Sequence, residues 1–167
     1  VIMLREPMDW ASLTWTTPTP EPGRAAPRAG GTAVVISGGM PIGNGDTAAL
    51  LFPLTKPLTT KGEFALERGV HLYVSMASAM ASDSSLMPLG IVSITTEPPI
   101  STGSRFRQTL HLTNATASVT TSEGQVSAWV DAASKRVLVH VRRASGLPPF
   151  TSVNASVHSL RPASRFR

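Results

Sequence analysis

The chain has 167 residues, of which 41% are hydrophobic and only 15% charged, with no cysteine and a formal net charge of +5. That length suits one domain with a real core and is tight for two. Disulfides and thiolate metal sites are excluded, and no apolar run reaches the roughly 18 residues of a spanning helix. Ser, Thr, Pro and Gly replace the missing charge, a profile of strands and turns rather than of charged surface helices.

The opening Val1-Ile-Met-Leu-Arg5-Glu6 is interrupted by charge at once and is no signal peptide; without an initiator Met, a fragment or processed chain is expected. Trp10 to Trp15 reads as a short first strand. Thr16 to Gly31, with Pro18, Pro20, Pro22 and Pro27, reads as an extended Pro/Gly-rich loop. Residues 1–31 are therefore expected to form an N-terminal strand and loop, 32–160 the main domain, and 161–167 a basic tail that is a truncated continuation.

Gly38 to Asp46 is glycine-rich but lacks the Lys-Ser/Thr ending of a phosphate loop, and Pro41 sits inside it. Asn44-Gly45 reads as a tight turn leading into a strand over Thr47 to Phe52. From there apolar residues keep a beat of two. Val70, Leu72 and Val74, then Val126, Ala128 and Val130, then Val137, Val139 and Val141, then Val153, Ala155 and Val157 alternate with polar neighbours. Leu89 to Thr95 and Arg105 to Leu112 read as further strands. Ser75 to Ser85, with Met76, Ala77, Ala79 and Met80, is expected to hold at most one or two helical turns. The predicted class is all-β, an antiparallel, supersandwich-like β-sandwich with one shared interior.

Chemistry is sparse. His71, His111, His140 and His158 fall on different predicted strands without ligand spacing, and His71, His140 and His158 take the polar phase, where a solvated imidazole is expected. No metal site and no cofactor are expected. Glu63, Glu67, Glu97 and Glu123 fall at strand ends or turns, and nothing nominates the facing carboxylate pair that glycoside cleavage uses. Gly-x-Ser-x-Gly is absent, so no catalytic residue is nominated. Arg142-Arg143 and the tail arginines Arg161, Arg165 and Arg167 have no nucleic-acid module around them, so nucleic acid is not an expected partner. Asn114-Ala-Thr116 and Asn154-Ala-Ser156 are glycosylation sequons, which point towards a secreted or extracellular location.

Met40-Pro-Ile-Gly-Asn-Gly-Asp46 resembles the motif that leads into the N-terminal domain of six-hairpin glycosidase-like proteins. The family it resembles is domain of unknown function 5703, N-terminal; more distantly it is similar to the N-terminal domain of glycoside hydrolase family 95, the α-fucosidase group. Leu13-Thr-Trp-Thr-Thr-Pro18, Leu72-Tyr-Val-Ser75, Pro88-Leu-Gly-Ile-Val-Ser-Ile94, Phe106-Arg-Gln-Thr-Leu-His-Leu112, Val126-Ser-Ala-Trp-Val-Asp131 and Arg136-Val-Leu-Val-His-Val141 follow in that family's order. One stretch departs: Ser75-Met-Ala-Ser-Ala-Met80 stands where the family usually has Ser-Lys-Thr-Asp-Ala-Trp. The resemblance implies a non-catalytic N-terminal module of a glycoside hydrolase-like protein, partnered by a C-terminal (α/α)6 domain that supplies the catalytic acids. The alternative is a free-standing carbohydrate-binding or adhesion sandwich. Asn44 and Asp46 are the candidates for ligand or domain contact, with a structural turn favoured for them. Trp129, in the outward phase, is a candidate sugar platform or interface residue, whereas Trp15 reads as core.

Overall fold

The structure, a computed structural model, describes residues 12–18, 39–59, 65–80 and 86–160. The expected Pro/Gly-rich loop, the basic tail and the second half of the expected helical stretch lie outside these residues.

Two five-stranded antiparallel sheets face each other. The front sheet runs β1 (Ser12–Trp15), β8 (Arg107–His111), β9 (Thr116–Thr120), β10 (Gly124–Val130) and β11 (Val137–Arg143) in spatial order. The back sheet runs β12 (Ser152–Ser159), β7 (Leu86–Glu97), β6 (Gly69–Met80), β3 (Thr47–Leu54) and β2 (Met40–Gly43). A two-stranded ribbon, β4 (Leu58–Thr59) with β5 (Ala65–Leu66), stands apart from both, and Ile100–Thr102 forms a single 3-10 turn. The β-sandwich read from the alternation is the fold.

The beat of two explains the packing. Val126, Ala128 and Val130 of β10 and Leu110 of β8 turn inward, against Leu51 of β3, Leu72 of β6 and Ile42 of β2. Each large side chain taken fully out of water stabilises the sandwich by roughly 1.5–3 kcal/mol. Ala49, Ala117 and Ala128 are fully buried among them and let the facing sheets interdigitate. A polar side chain also joins the sheets here: Gln108 Nε2 donates to the Leu51 carbonyl at 2.9 Å, tying front sheet to back. Both prolines of the back sheet's far side stand where a missing N–H is tolerated. Pro41 lies in the outer strand β2, and Pro53 lies beyond the β2–β3 pairing, which stops at Met40 opposite Leu51.

The expectation of one interior is too simple. Phe52, Leu54, Leu66 and Ile91 form a second buried cluster on the other face of the back sheet, with Leu58 and Tyr73 against it. The β4–β5 ribbon supplies Leu58 and Leu66, so it acts as a cover for that face. Leu51 to Leu54 are in consequence buried on both sides of the sheet.

Two local expectations are corrected. Ser75 to Met80 is not helical but continues β6, with register shifts against β7 between Val74 and Ser75 and again before Met80. Helix-favouring Met and Ala are outweighed there by pairing, and the Ala77 N–H donates to the Asp46 carbonyl at 2.7 Å. Strand β9 was not expected, because Ala117 and Val119 give too short an apolar phase to read; its neighbours β8 and β10 hold it in place.

Strand β12 departs differently. It pairs with β7 along its whole length, and its register aligns Val157 with Val92 and Ala155 with Ile94, so the apolar phase faces the front-sheet side. The front sheet packs over β2 and β3 instead, and Val153 and Val157 stay 51% and 76% exposed. Apolar side chains exposed on an outermost strand invite contact with another chain. Val157→Lys should leave the thermal midpoint within about 2–3 °C, since exposed substitutions shift stability by no more than roughly 0.5 kcal/mol. It should also slow self-association followed by light scattering during concentration.

Candidate functional site

The turn between β2 and β3 carries the motif singled out from the sequence. Gly45 has φ +91, a backbone conformation open to glycine and strained for other residues. Asn44 shapes the turn from within: its Oδ1 accepts the N–H groups of Asp46 at 3.0 Å and Thr47 at 2.8 Å, and its own N–H donates to the Thr47 carbonyl at 3.1 Å. Its Nδ2 reaches across the sandwich and donates to the carbonyls of Asp131 at 2.9 Å and Ser134 at 3.2 Å, in the β10–β11 turn. Both amide protons and two acceptor positions of Asn44 are thereby used. Beside it Lys135 Nζ lies 2.7 Å from Asp46 Oδ2. The Ser134 hydroxyl donates to Asp131 Oδ2 and holds that carboxyl below its ordinary range. Asn44 and Asp46 thus clasp the back-sheet hairpin to the front-sheet hairpin.

His71 corrects a second expectation. Its place in the polar phase of β6 suggested a solvated ring, but it is completely buried, because the outward face of the back sheet is itself covered. Nε2 must carry the proton, since its partner at 3.1 Å is the Glu67 carbonyl, which can only accept; Nδ1 then accepts from the Ser93 hydroxyl at 2.9 Å. The ring packs on Phe52 with centroids 5.4 Å apart. Burial pushes its pKa down to about 4, the Glu67 hydrogen bond opposes this, and the nearby His158 adds slightly to it.

Strand pairing assembles a polar row on the outward side of the front sheet, in which Thr109 and Ser118 are themselves buried. Register alone aligns Thr14, Thr109, Ser118, Ser127 and His140 in one row across all five strands. A parallel row holds Arg107, Thr120, Gln125 and Arg142. On the other flank His111 stands opposite Ser12 and Thr116, and Trp129 opposite Leu138. Thr14 and Thr109 hydroxyls lie 3.3 Å apart, and Arg142 Nη2 donates to Gln125 Oε1 at 3.3 Å. An open cleft of about 800 Å³ runs over this face, lined by Thr14, Arg105, Arg107, Thr109, His111 and Gln125 among others. No spacing motif could have revealed it, because its residues lie on five separate strands. The only sequence signal is that the polar phases of β8 to β11 carry hydroxyls, Arg and His rather than acids.

Other expected residues are scattered. Glu67 and Glu97 line one open cleft of about 380 Å³ beside Arg68 and Asn154 on the back sheet, whereas Glu123 pairs with Arg143 at 2.8 Å on the far side. Asn114 is exposed in the β8–β9 turn, where its Oδ1 accepts the Thr116 N–H at 3.2 Å, and Asn154 is exposed on β12. Trp129 stands outward and half-buried, and Trp15 packs against the core. Among the described residues no cluster of three or more His, Cys, Asp or Glu could hold a metal, and no helix is long and apolar enough to cross a membrane.

Two measurements follow from these contacts. Asn44→Ala removes two inter-sheet hydrogen bonds and the internal support of the turn, and should cost about 2–3 kcal/mol in urea unfolding. Lys135→Ala breaks only an exposed ion pair and should cost no more than about 0.5 kcal/mol. For His71, the ring is neutral in both states above pH 6.5, so its contribution is complete there. Between pH 6.5 and about 4 only the unfolded chain takes up the proton, and stability should fall by on the order of 3 kcal/mol. His71→Asn should flatten that part of the pH profile of the urea midpoint.

No curated protein and no solved structure matches the chain. The sequence model for the N-terminal part of a domain of unknown function, DUF5703, matches residues 33–166, from before the Asn44 turn to beyond β12. The chain belongs to the DUF5703 N-terminal domain family.

Proposed function

We propose that this domain is a non-catalytic β-sandwich module of a glycoside hydrolase-like, carbohydrate-active protein. It supports an (α/α)6 catalytic domain and presents the outward face of its front sheet to glycan. The observation that carries this reading is the register of that face: Thr14, Ser127 and His140 reach solvent in one row, over the buried Thr109 and Ser118 between them, with Trp129 at its flank. Sugars are held by such sets of short polar groups with an aromatic ring for their apolar face. The resemblance of the ordered motifs to six-hairpin glycosidase-like proteins, and more distantly to the family 95 N-terminal domain, supports the enzyme context. The apolar face of Val153 and Val157, which no described residue covers, supports a module that leans on neighbouring structure rather than a free-standing one. The Asn44 clasp serves the scaffold in this reading, and a secreted location fits the exposure of both sequons.

Isothermal titration of the 167-residue chain with a panel of neutral and acidic oligosaccharides tests the glycan face. Binding is expected for at least one class, and Trp129→Ala should weaken it by roughly 2- to 10-fold, the worth of one aromatic contact. Absence of binding across the whole panel overturns the reading.

A further inference from the structure

The cations of the sandwich are not spent alike. Lys135 is paired with Asp46 and Arg143 with Glu123, and Arg143 also stacks on Phe150, its guanidinium carbon 4.6 Å from the ring centroid. Arg107 and Arg142 are different. Both point out from the front sheet at the two ends of one row, with Thr120 and Gln125 between them. Arg107 is exposed and has no hydrogen bond or ion pair among the described residues. Among the described residues the Arg142 side chain makes a single bond, to Gln125 Oε1, which leaves most of its five donors for another partner. No Asp or Glu belongs to either aligned row, to the lining of the cleft that Arg107 shares with Arg105 and His111, or to that of the smaller cleft lined by Arg142. Three strand steps separate the two guanidinium positions, about 14 Å at the usual strand spacing. That span exceeds a single sugar ring.

We propose that this face takes an acidic oligosaccharide, with Arg107 and Arg142 each meeting a carboxylate or sulfate group and Thr120 and Gln125 between them meeting the sugar ring hydroxyls. The inference rests on the glycan face described above and names its ligand class. Arginine suits this task because its planar fork donates two parallel hydrogen bonds to a carboxylate or sulfate. Unpaired arginines held apart on a sheet with no acid among them also attract an anionic chain at a distance. A nucleic acid is the poorer fit: single-strand binding surfaces stack successive bases on several aromatics, and Trp129 is the sole aromatic on this face among the described residues.

The test is titration of the whole chain with four probes of matched length: an oligogalacturonate, a sulfated, uronate-free carrageenan oligosaccharide, a neutral xylo-oligosaccharide and a single-stranded DNA oligomer. The acidic sugars should bind at least about tenfold tighter than the neutral one, with affinity falling as salt is raised. Whether the uronate or the sulfated chain leads identifies which acidic group the face reads, and either result upholds the proposal. Arg107→Gln and Arg142→Gln should each cut the acidic-sugar affinity roughly 5- to 10-fold, as loss of a charge-assisted contact requires. Both side chains are exposed, so the variants should keep the parent's thermal midpoint. Equal affinity for neutral and acidic sugars overturns this inference and leaves the glycan face standing. Binding to none of the sugars overturns the glycan face itself. DNA binding as tight as the acidic sugars, with the same loss in both arginine variants, reassigns the face to polyanions at large and overturns the inference.

Discussion

Four consecutive residues of β3, Leu51 to Leu54, are buried on alternating sides of one sheet, and the architecture answers that demand. A strand apolar on both faces can be stable only if both are covered, because ordering each residue's backbone costs about 1–2 kcal/mol. The front sheet covers one side, where Leu51 meets Leu72 and the β8–β10 interior; the β4–β5 ribbon covers the other, where Phe52 and Leu54 meet Leu66. The sandwich is in effect three layers deep at this strand. The burial of His71, the cleft of Glu67 and Glu97, and the extended course of β6 are consequences of that third layer or of pairing with β3.

Much of this architecture can be read from the amino acids. The alternation of Val70, Leu72 and Val74 and of Val126, Ala128 and Val130 assigns β6 and β10 and their inward faces correctly, and Asn44-Gly45 marks the turn between β2 and β3. What alternation does not contain is the identity of whatever covers each face. His71 holds the polar phase of β6, yet a two-residue strand pair too short to recognise in sequence shuts it away from water. Val153 and Val157 hold the apolar phase of β12, yet nothing among the described residues covers them. Met76 to Met80 shows the third kind of failure, local helix preference outweighed by the pairing of Met76 with Thr47 and the bond from the Ala77 N–H to the Asp46 carbonyl, partners distant in sequence.

The candidate sites divide along the same line. A tight turn was legible in Asn44 and Gly45, because those residue types tolerate positive φ and cap their own backbone. That Asn44 Nδ2 would reach carbonyls nearly ninety positions later could not be read, since it depends on how two sheets meet. The front face is harder still. Thr14, Thr109, Ser118, Ser127 and His140 look like ordinary polar filler in their own strands, and only the pairing register turns them into a row.

Two greasy surfaces pressed together have no inherent sense of offset, and one can slide over the other at small cost. The buried amide of Gln108 removes that freedom here. Its Nε2 finds the Leu51 carbonyl only at the observed alignment, and any slip would strand a donor away from water, costing about 1–3 kcal/mol. The side chain therefore behaves as a locating pin, setting how far the front sheet sits along the back one and hence where its polar exterior is aimed.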